Sequence, residues 1–529
     1  MKRRTALLSG AAALASGSLL SQSNGGNGRE RKDIGKLSPK ELELLAAAVG
    51  SMQARPASEP GSWQYLAATH QRMPFNSRKE FLDAMSSPAD KAWAAEVAKY
   101  IDFDALGKVG QDVQQKYWDG CIHRGRRGAG GVAFKFGHFL SWHRSFLWNF
   151  ESHLLAAASQ VAAQVGVTAT LTGLPYWNYY AQPTLPRIFR QPTLAGGKKN
   201  PLYVAYRNPN RNSQSAPVGV GEPSRRAFEL KDFMSEQFLV RPGVAVRGFD
   251  AGIEALPHDV VHGDIGGLMG SVPTAAWDPI FWLHHANIDR LWTIWSEGKP
   301  IPKDFDSNWK AEAFVFDGPG GAVLQHAGDT YDKPLAQKYD SLELGAKPES
   351  APPLTVPAIA LTMSATGDQG PAALSSAAGA SLTNAGGAVR LKLGTADAQK
   401  KFNAIALDQP ALPTSPKQVF VVLREPTVTA EGRRHGFVYQ VYVRAPSAGS
   451  PVLVGSVNLF NMSPYGQQPD IRIDITDAVK GLGRATQVSI SEIEVLFAQD
   501  APVSPTGARD KLPPSGSLVR FRSIHVEAN

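Results

Sequence analysis

Cysteine is almost missing from this 529-residue chain: Cys121 is the only one. A single thiol excludes an internal disulfide framework, and the lone sulfur needs a reason of its own. No long apolar run follows the N-terminal segment, so the composition, 43% hydrophobic and 19% charged, reads as that of a globular chain rather than a membrane bundle. A basic helix and an RNA-binding signature are absent too. The net charge is +8, but Lys and Arg are scattered, and the densest cluster (Arg124, Arg126, Arg127) sits in a Gly-rich stretch. Nucleic acid is therefore not an expected partner. The length exceeds what one ordinary core organises, so two or more domains are expected.

Residues 1 to about 25, MKRRTALLSGAAALASGSLLSQSNG, join a basic start, a short apolar stretch and a polar end, the form of an export signal. Arg3-Arg4 before Thr-Ala-Leu-Leu resembles a twin-arginine signal, which implies a folded protein sent to the periplasm or beyond. Residues 26–344 carry the helical patterns. Ser38-Pro39-Lys40-Glu41 is a capping box with proline at the first helical position. A further segment runs from Trp63 to His70. Phe139 to Ala156 holds Leu140, Phe146, Leu147, Phe150 and Leu154 near helical spacing, and Asp278-Pro279 opens a helix with Phe281, Ile288, Leu291, Trp292 and Trp295 on one face. Residues 185–250, rich in Pro, Asn, Gly and Arg, read as loops. Ala, Pro, Gly, Ser and Thr dominate 345–387, which reads as a linker. From 388 to 529 the chain alternates (VRLKL, QVFVVL, FVYQVYV, VLVGSVNLF, LVRFRSIHV), the pattern of a β-sandwich. The expected fold is a mainly α domain built on a helical bundle, followed by a C-terminal β-sandwich.

The chemistry lies in the 12 histidines, several of which gather in three places. His258 and His262 in PHDVVH are four apart, so on a helix they share a face and can grip one metal. His284 and His285 lie in DPIFWLHHANID, and His138 and His143 in GHFLSWHR, with His123 and His70 upstream. Taken singly, a histidine is more often a core or surface residue than a ligand. Three helical clusters together point to metal. Neutral imidazoles without a cysteine or carboxylate partner set suit copper, among other metals.

DPIFWLHHANID resembles the second-copper signature of the tyrosinase and polyphenol oxidase family, the type 3 copper proteins. The likeness puts a ligand at His285 and the closing aspartate at Asp289. PHDVVHGDIGG resembles the companion pair, His258 and His262. FLSWHRSFLWNFE resembles the first-copper signature, with His143 as ligand followed by Arg144, Leu147 and Glu151, and SMQARPASEPGSWQYLAATHQ resembles the segment that ends in the family's first ligand, here His70. Two readings stay open for the remaining first-copper ligand. YWDGCIH resembles a Cys-x-His form in which the cysteine sulfur is joined to the ligand in a thioether, giving His123 and a reason for Cys121. The rival is His138, five residues before His143, which needs a distorted helix start.

The resemblance thus implies two copper ions held by His70, His123, His143, His258, His262 and His285, binding O2 between them and turning phenols or catechols into o-quinones. Asp289, Asp278 and Arg144 are candidates for orienting the site. Glu254, four residues before His258, matches the family glutamate that holds a water near the phenol. Its usual partner, an asparagine after the first second-copper histidine, is here Asp259, which puts monophenol hydroxylation in doubt. His284 borders the ligand face and is the third candidate of this catalytic group. The β-domain resembles the shielding domain of plant and bacterial polyphenol oxidases, and Phe460, Met462 and Tyr465 are the candidate plugs that would make the protein latent. Tyr339 resembles part of the family's tyrosine motif. Phenolic small molecules and O2 are the implied partners, with no nucleic acid and no stable membrane association. Alternatives are a catechol or o-aminophenol oxidase without monophenolase activity, a non-enzymatic O2-binding dicopper protein, and a zinc hydrolase using HDVVH. The last lacks the glutamate of the zincin motif and leaves the other clusters unexplained.

Overall fold

Local side-chain capping starts three of the helices around the site. Ser38 Oγ accepts from the Glu41 amide and the Glu41 carboxylate accepts from the Ser38 amide, so the expected capping box opens the Pro39–Ala54 helix. This is a computed structural model, and it describes residues 29–118, 120–121, 138–164, 166, 168–212, 217–220, 225, 227–228, 232–233, 248–297, 299, 307–332, 337–345, 373–383, 386–407, 418–429, 432, 438–446, 450–458, 460, 470–486, 489–499 and 517–528. The expected export signal, His123, Met462 and Tyr465 lie outside them.

Leu44, Leu45, Ala48, Val49 and Met52 form the buried side of the first helix, which packs on the 24-residue helix Phe139–Ala162. Ser62 caps the Trp63–His70 helix through the Tyr65 amide. Asp278 accepts from the Ile280 amide at 3.0 Å and starts the Ile280–Ser296 helix, while Arg207 donates to both of its carboxylate oxygens at 2.7 and 2.8 Å. Phe139–Ala162 has no side-chain cap from His138, the residue before it. Asp250 supplies one from 110 positions away, accepting from the Leu140 amide at 2.9 Å. The helix that carries His143 is thereby tied to the segment that leads into His258.

Among the described residues four short strands complete this domain. Strand β1 (Arg29–Arg31) pairs in parallel with β4 (Gln337–Tyr339), and β2 (Ala313–Gly318) forms a hairpin with β3 (Gly321–His326) that packs on the Phe139–Ala162 helix. The β1–β4 pair places Arg31 opposite Tyr339. Arg31 is wholly buried and donates to Glu151 at 3.1 Å through two nitrogens, to Asp289 at 3.1 Å and to the Tyr339 hydroxyl at 3.0 Å. Asp289 also accepts from Arg144 and from Tyr339, both at 2.5 Å. Buried charges survive only when paired in this way.

Among the described residues the second domain has two sheets. Strands β5 (Ala373–Thr383), β6 (Gly387–Lys392), β7 (Val419–Arg424), β8 (Thr427–Val428), β9 (Val438–Arg444), β10 (Val452–Asn458), β11 (Ile471–Asp474), β12 (Glu492–Gln499) and β13 (Ser517–Ala528) run as β10-β9-β12-β6 and β11-β7-β13-β5, with β8 on β13. Val421, Leu423, Ile524 and Val526 of one sheet share a core with Val441, Val443, Val495 and Phe497 of the other. The alternation in the sequence becomes two sheets facing one core. Two features depart from the sequence reading. Helices Ala396–Ala406 and Thr476–Thr486 pack together beside the sheets. Strand β5 lies inside the stretch that reads as linker, because its Ala- and Ser-rich sequence has little strand signal and its order comes from pairing with β13. Among the described residues no helix is long and apolar enough to cross a membrane.

Candidate metal centre

Five imidazoles from four chain segments converge between the domain's helices. His70 ends its helix, His143 lies one turn into the Phe139–Ala162 helix, and His285 lies in the Ile280–Ser296 helix. His258 closes a π-helical turn (Glu254–His258) that contains Pro257, and His262 follows in the Asp259–Ile265 helix. Single π turns of this kind concentrate at functional sites. Here the turn leads directly into the paired histidines, whose ring centroids stand 4.5 Å apart.

Hydrogen bonds fix which nitrogen faces inward in four of the five rings. Nδ1 of His70 donates to the Val272 carbonyl at 3.1 Å, that of His143 to Phe139 at 2.7 Å, and that of His262 to Met269 at 2.8 Å. His258 Nδ1 donates to the Asp259 carboxylate at 2.8 Å. Each ring therefore keeps a lone pair on Nε2. The Met269 carbonyl reaches His262 because Gly266 and Gly267 turn the chain at φ of 62° and 57°. A Cβ on Gly267 would collide with the Tyr206 backbone, so glycine is required there.

The bare nitrogens meet in two groups. His258 Nε2 and His262 Nε2 stand 3.3 and 3.2 Å from His285 Nε2. His143 Nε2 is 3.5 Å from His70 Nε2 and 3.9 Å from Cys121 Sγ. Two nitrogens bound about 2.0–2.1 Å from one tetrahedral ion stand about 3.3 Å apart, so these separations fit metal ligation. Lone pairs so placed repel one another unless a cation or a proton lies between them. The two groups adjoin: the rings of His143 and His285 stack at 4.4 Å and 22°. Burial pushes His285 well below the usual histidine range, with the neighbouring rings adding to the shift, led by His143. Neutral imidazole is the ligating form. Phe139, Phe281, Trp142 and Phe146 wall the site in.

The other candidates fall as follows. His138 stacks on Trp309 at 5.2 Å and belongs to neither metal group. His123, its rival, lies outside the described residues. Cys121 is buried with its sulfur beside His143. Glu254 is half-buried at the start of the π turn. Asp259 holds the His258 ring. His284 is fully buried, stacked on His258 at 5.3 Å and 20°, with Tyr179 on another side at 5.7 Å. Burial pushes it down to about 3, against a weak upward pull from the His258 backbone. Phe460, from the β-domain, stacks on His262 at 4.1 Å and 21° and meets His258 edge-on at 5.5 Å. It is the one buried residue after 345 that joins the helical domain's core, among those described. Sequence reasoning missed Asp250 and Arg31, since neither lies in a motif or a periodic stretch.

Comparison with known proteins agrees with this geometry. The common central domain of tyrosinase matches residues 60–231 and 231–298. Tyrosinase HcTyr1 of Hahella sp. (strain CCB-MM4) is 29% identical over 322 residues, 56% of this chain and 60% of that one. Polyphenol oxidase II, chloroplastic, of Ipomoea batatas is 32% identical over 242 residues, 39% of each chain. The chain thus spans less than two thirds of the length of these relatives. A recombinantly expressed latent aurone synthase (polyphenol oxidase) shares the fold at a TM-score of 0.50 and 17% identity, over 96% of this chain and 90% of that one. The matched stretch holds every histidine of both metal groups, and homologues of that domain bind copper: residues 60–298 of this chain form a domain of the tyrosinase family.

Proposed function

We propose that this chain holds two copper ions and oxidises monophenols or o-diphenols with O2 to o-quinones, in a form kept latent by its own β-domain. The observation that carries the proposal is the convergence of five Nε2 lone pairs in two adjoining groups, with four of the five rings locked by Nδ1 hydrogen bonds. His258, His262 and His285 would hold one ion, and His70 and His143 the other, with His123 as the third ligand there. Copper supplies O2 binding and electron transfer when bound.

The chain's own residues do the rest. Carbonyls and the Asp259 carboxylate hold the rings in one tautomer and one orientation. Phe139, Phe281 and Trp142 exclude water from around them. Glu254, at the π turn, is the candidate to hold a water that takes the phenol proton. Asp259 already accepts from His258, which favours a positioning role for it over that of a free base. Phe460 covers the His258–His262 side, where a phenol ring of the same shape would approach, which supports latency.

The test is copper content and oxygen uptake of the copper-loaded full chain, with tyrosine and with dihydroxyphenylalanine, before and after limited proteolysis within 345–388. Two coppers per chain and uptake that rises on cleavage are expected. Fewer than two coppers, or two coppers with no uptake from either substrate after cleavage, refutes it.

A further inference from the structure

We propose that the pocket of His258, His262 and His285 contains a fourth, reserve donor, His284, which takes up a metal ion when one of the three ligands lets go. The proposal rests on the dicopper reading and specifies how that site retains its ion. Donor atoms of all four histidines lie within 4.8 Å of one another. The His284 ring stacks on His258, and its centroid stands 5.0 Å from that of His262 and 5.2 Å from that of His285.

His284 differs from the four ligands whose Nδ1 is anchored. It is 0% exposed, yet neither ring nitrogen makes a hydrogen bond of ordinary geometry. Leaving a buried polar group so is costly, about 1–3 kcal/mol, and calls for a use. A ring without such an anchor can turn, whereas His258 and His262, held through Nδ1, cannot. Held off the ion, it leaves the open position that a three-imidazole site needs. When a bond to His258, His262 or His285 breaks, it offers a replacement nitrogen and slows escape of the ion. The competing occupant is a buried water between His284, the Tyr179 hydroxyl and the Asn287 amide, whose polar atoms are also without a full hydrogen bond.

The experiment compares the full chain with His284→Phe, His262→Ala and the double variant. Each is loaded with copper(II), challenged with EDTA and read by metal content per chain, with circular dichroism to check the fold. The parent should hold two ions. His284→Phe should hold two but release one about 10- to 100-fold faster, the usual scale for such outer groups. His262→Ala should keep its second ion and the double variant should lose it. Should His284→Phe not fold, His284→Gln, a poorer donor of smaller bulk, replaces it in both comparisons with the same expected direction. Release at the parental rate, or equal loss from His262→Ala and the double variant, overturns the proposal. So does a change in melting temperature alone, the mark of a bridging water. A parent that holds fewer than two ions counts instead against the dicopper reading.

Discussion

Replacing Phe460 by alanine tests whether the β-domain holds the site shut. The ring is 3% exposed and makes two contacts with metal-site imidazoles, a stack at 4.1 Å and an edge contact at 5.5 Å. Aromatic pairs of these geometries contribute about 0.5–1.5 kcal/mol each beyond the area they bury. Together they favour the closed arrangement by about 1–3 kcal/mol, which is about 5- to 150-fold in an equilibrium. In the copper-loaded full chain, Phe460→Ala should therefore raise oxygen uptake on a catechol by a factor in that range. After cleavage within 345–388, variant and parent should be equal, because the ring no longer controls access. Phe460→Leu should fall between them. If Phe460→Ala keeps the parent's copper and the parent's low uptake, and gains as much on cleavage, the ring does not gate the site and the reasoning fails.

Four further outcomes follow from particular contacts. Asp259→Ala removes the acceptor of His258 Nδ1 and should weaken metal retention about 10- to 100-fold in chelator competition, with Asp259→Asn restoring most of it through its amide oxygen. Asp289→Asn leaves Arg31 and Arg144 under-compensated in the interior and should cost about 3–5 kcal/mol in denaturant unfolding; a loss below about 1 kcal/mol contradicts the network. His138→Ala should keep two ions per chain while His123→Ala loses one, and the reverse result would make His138 the ligand. Burial holds His153 below the usual histidine range, opposed by its bond to the Asp317 carbonyl and aided by Arg55. The unfolded chain then takes up a proton near pH 6.5 that the folded chain refuses, so stability falls as pH drops below about 6.5. His153→Gln should flatten that fall in melting experiments between about pH 7 and 5, and an unchanged slope rules the residue out as its source.

The sequence alone determined the two kinds of structure, the helices that matter and the candidate ligands. Those signals are local: the capping box at Ser38, the cap at Asp278, the alternation after Ala388, and histidines at motif spacing. Physics that acts within a few residues leaves its mark in the order of residues. What binds distant segments leaves none. Only the tertiary structure decided that Asp250 caps the helix of His143, that Arg31 sits between Glu151, Asp289 and Tyr339, and that His138 turns to Trp309 instead of the metal groups. It also stacked Phe460 on His262, and closed His284 into the interior that its position beside His285 left open. Each of these depends on which surfaces meet when the chain packs, a property of the whole fold that no window of sequence contains.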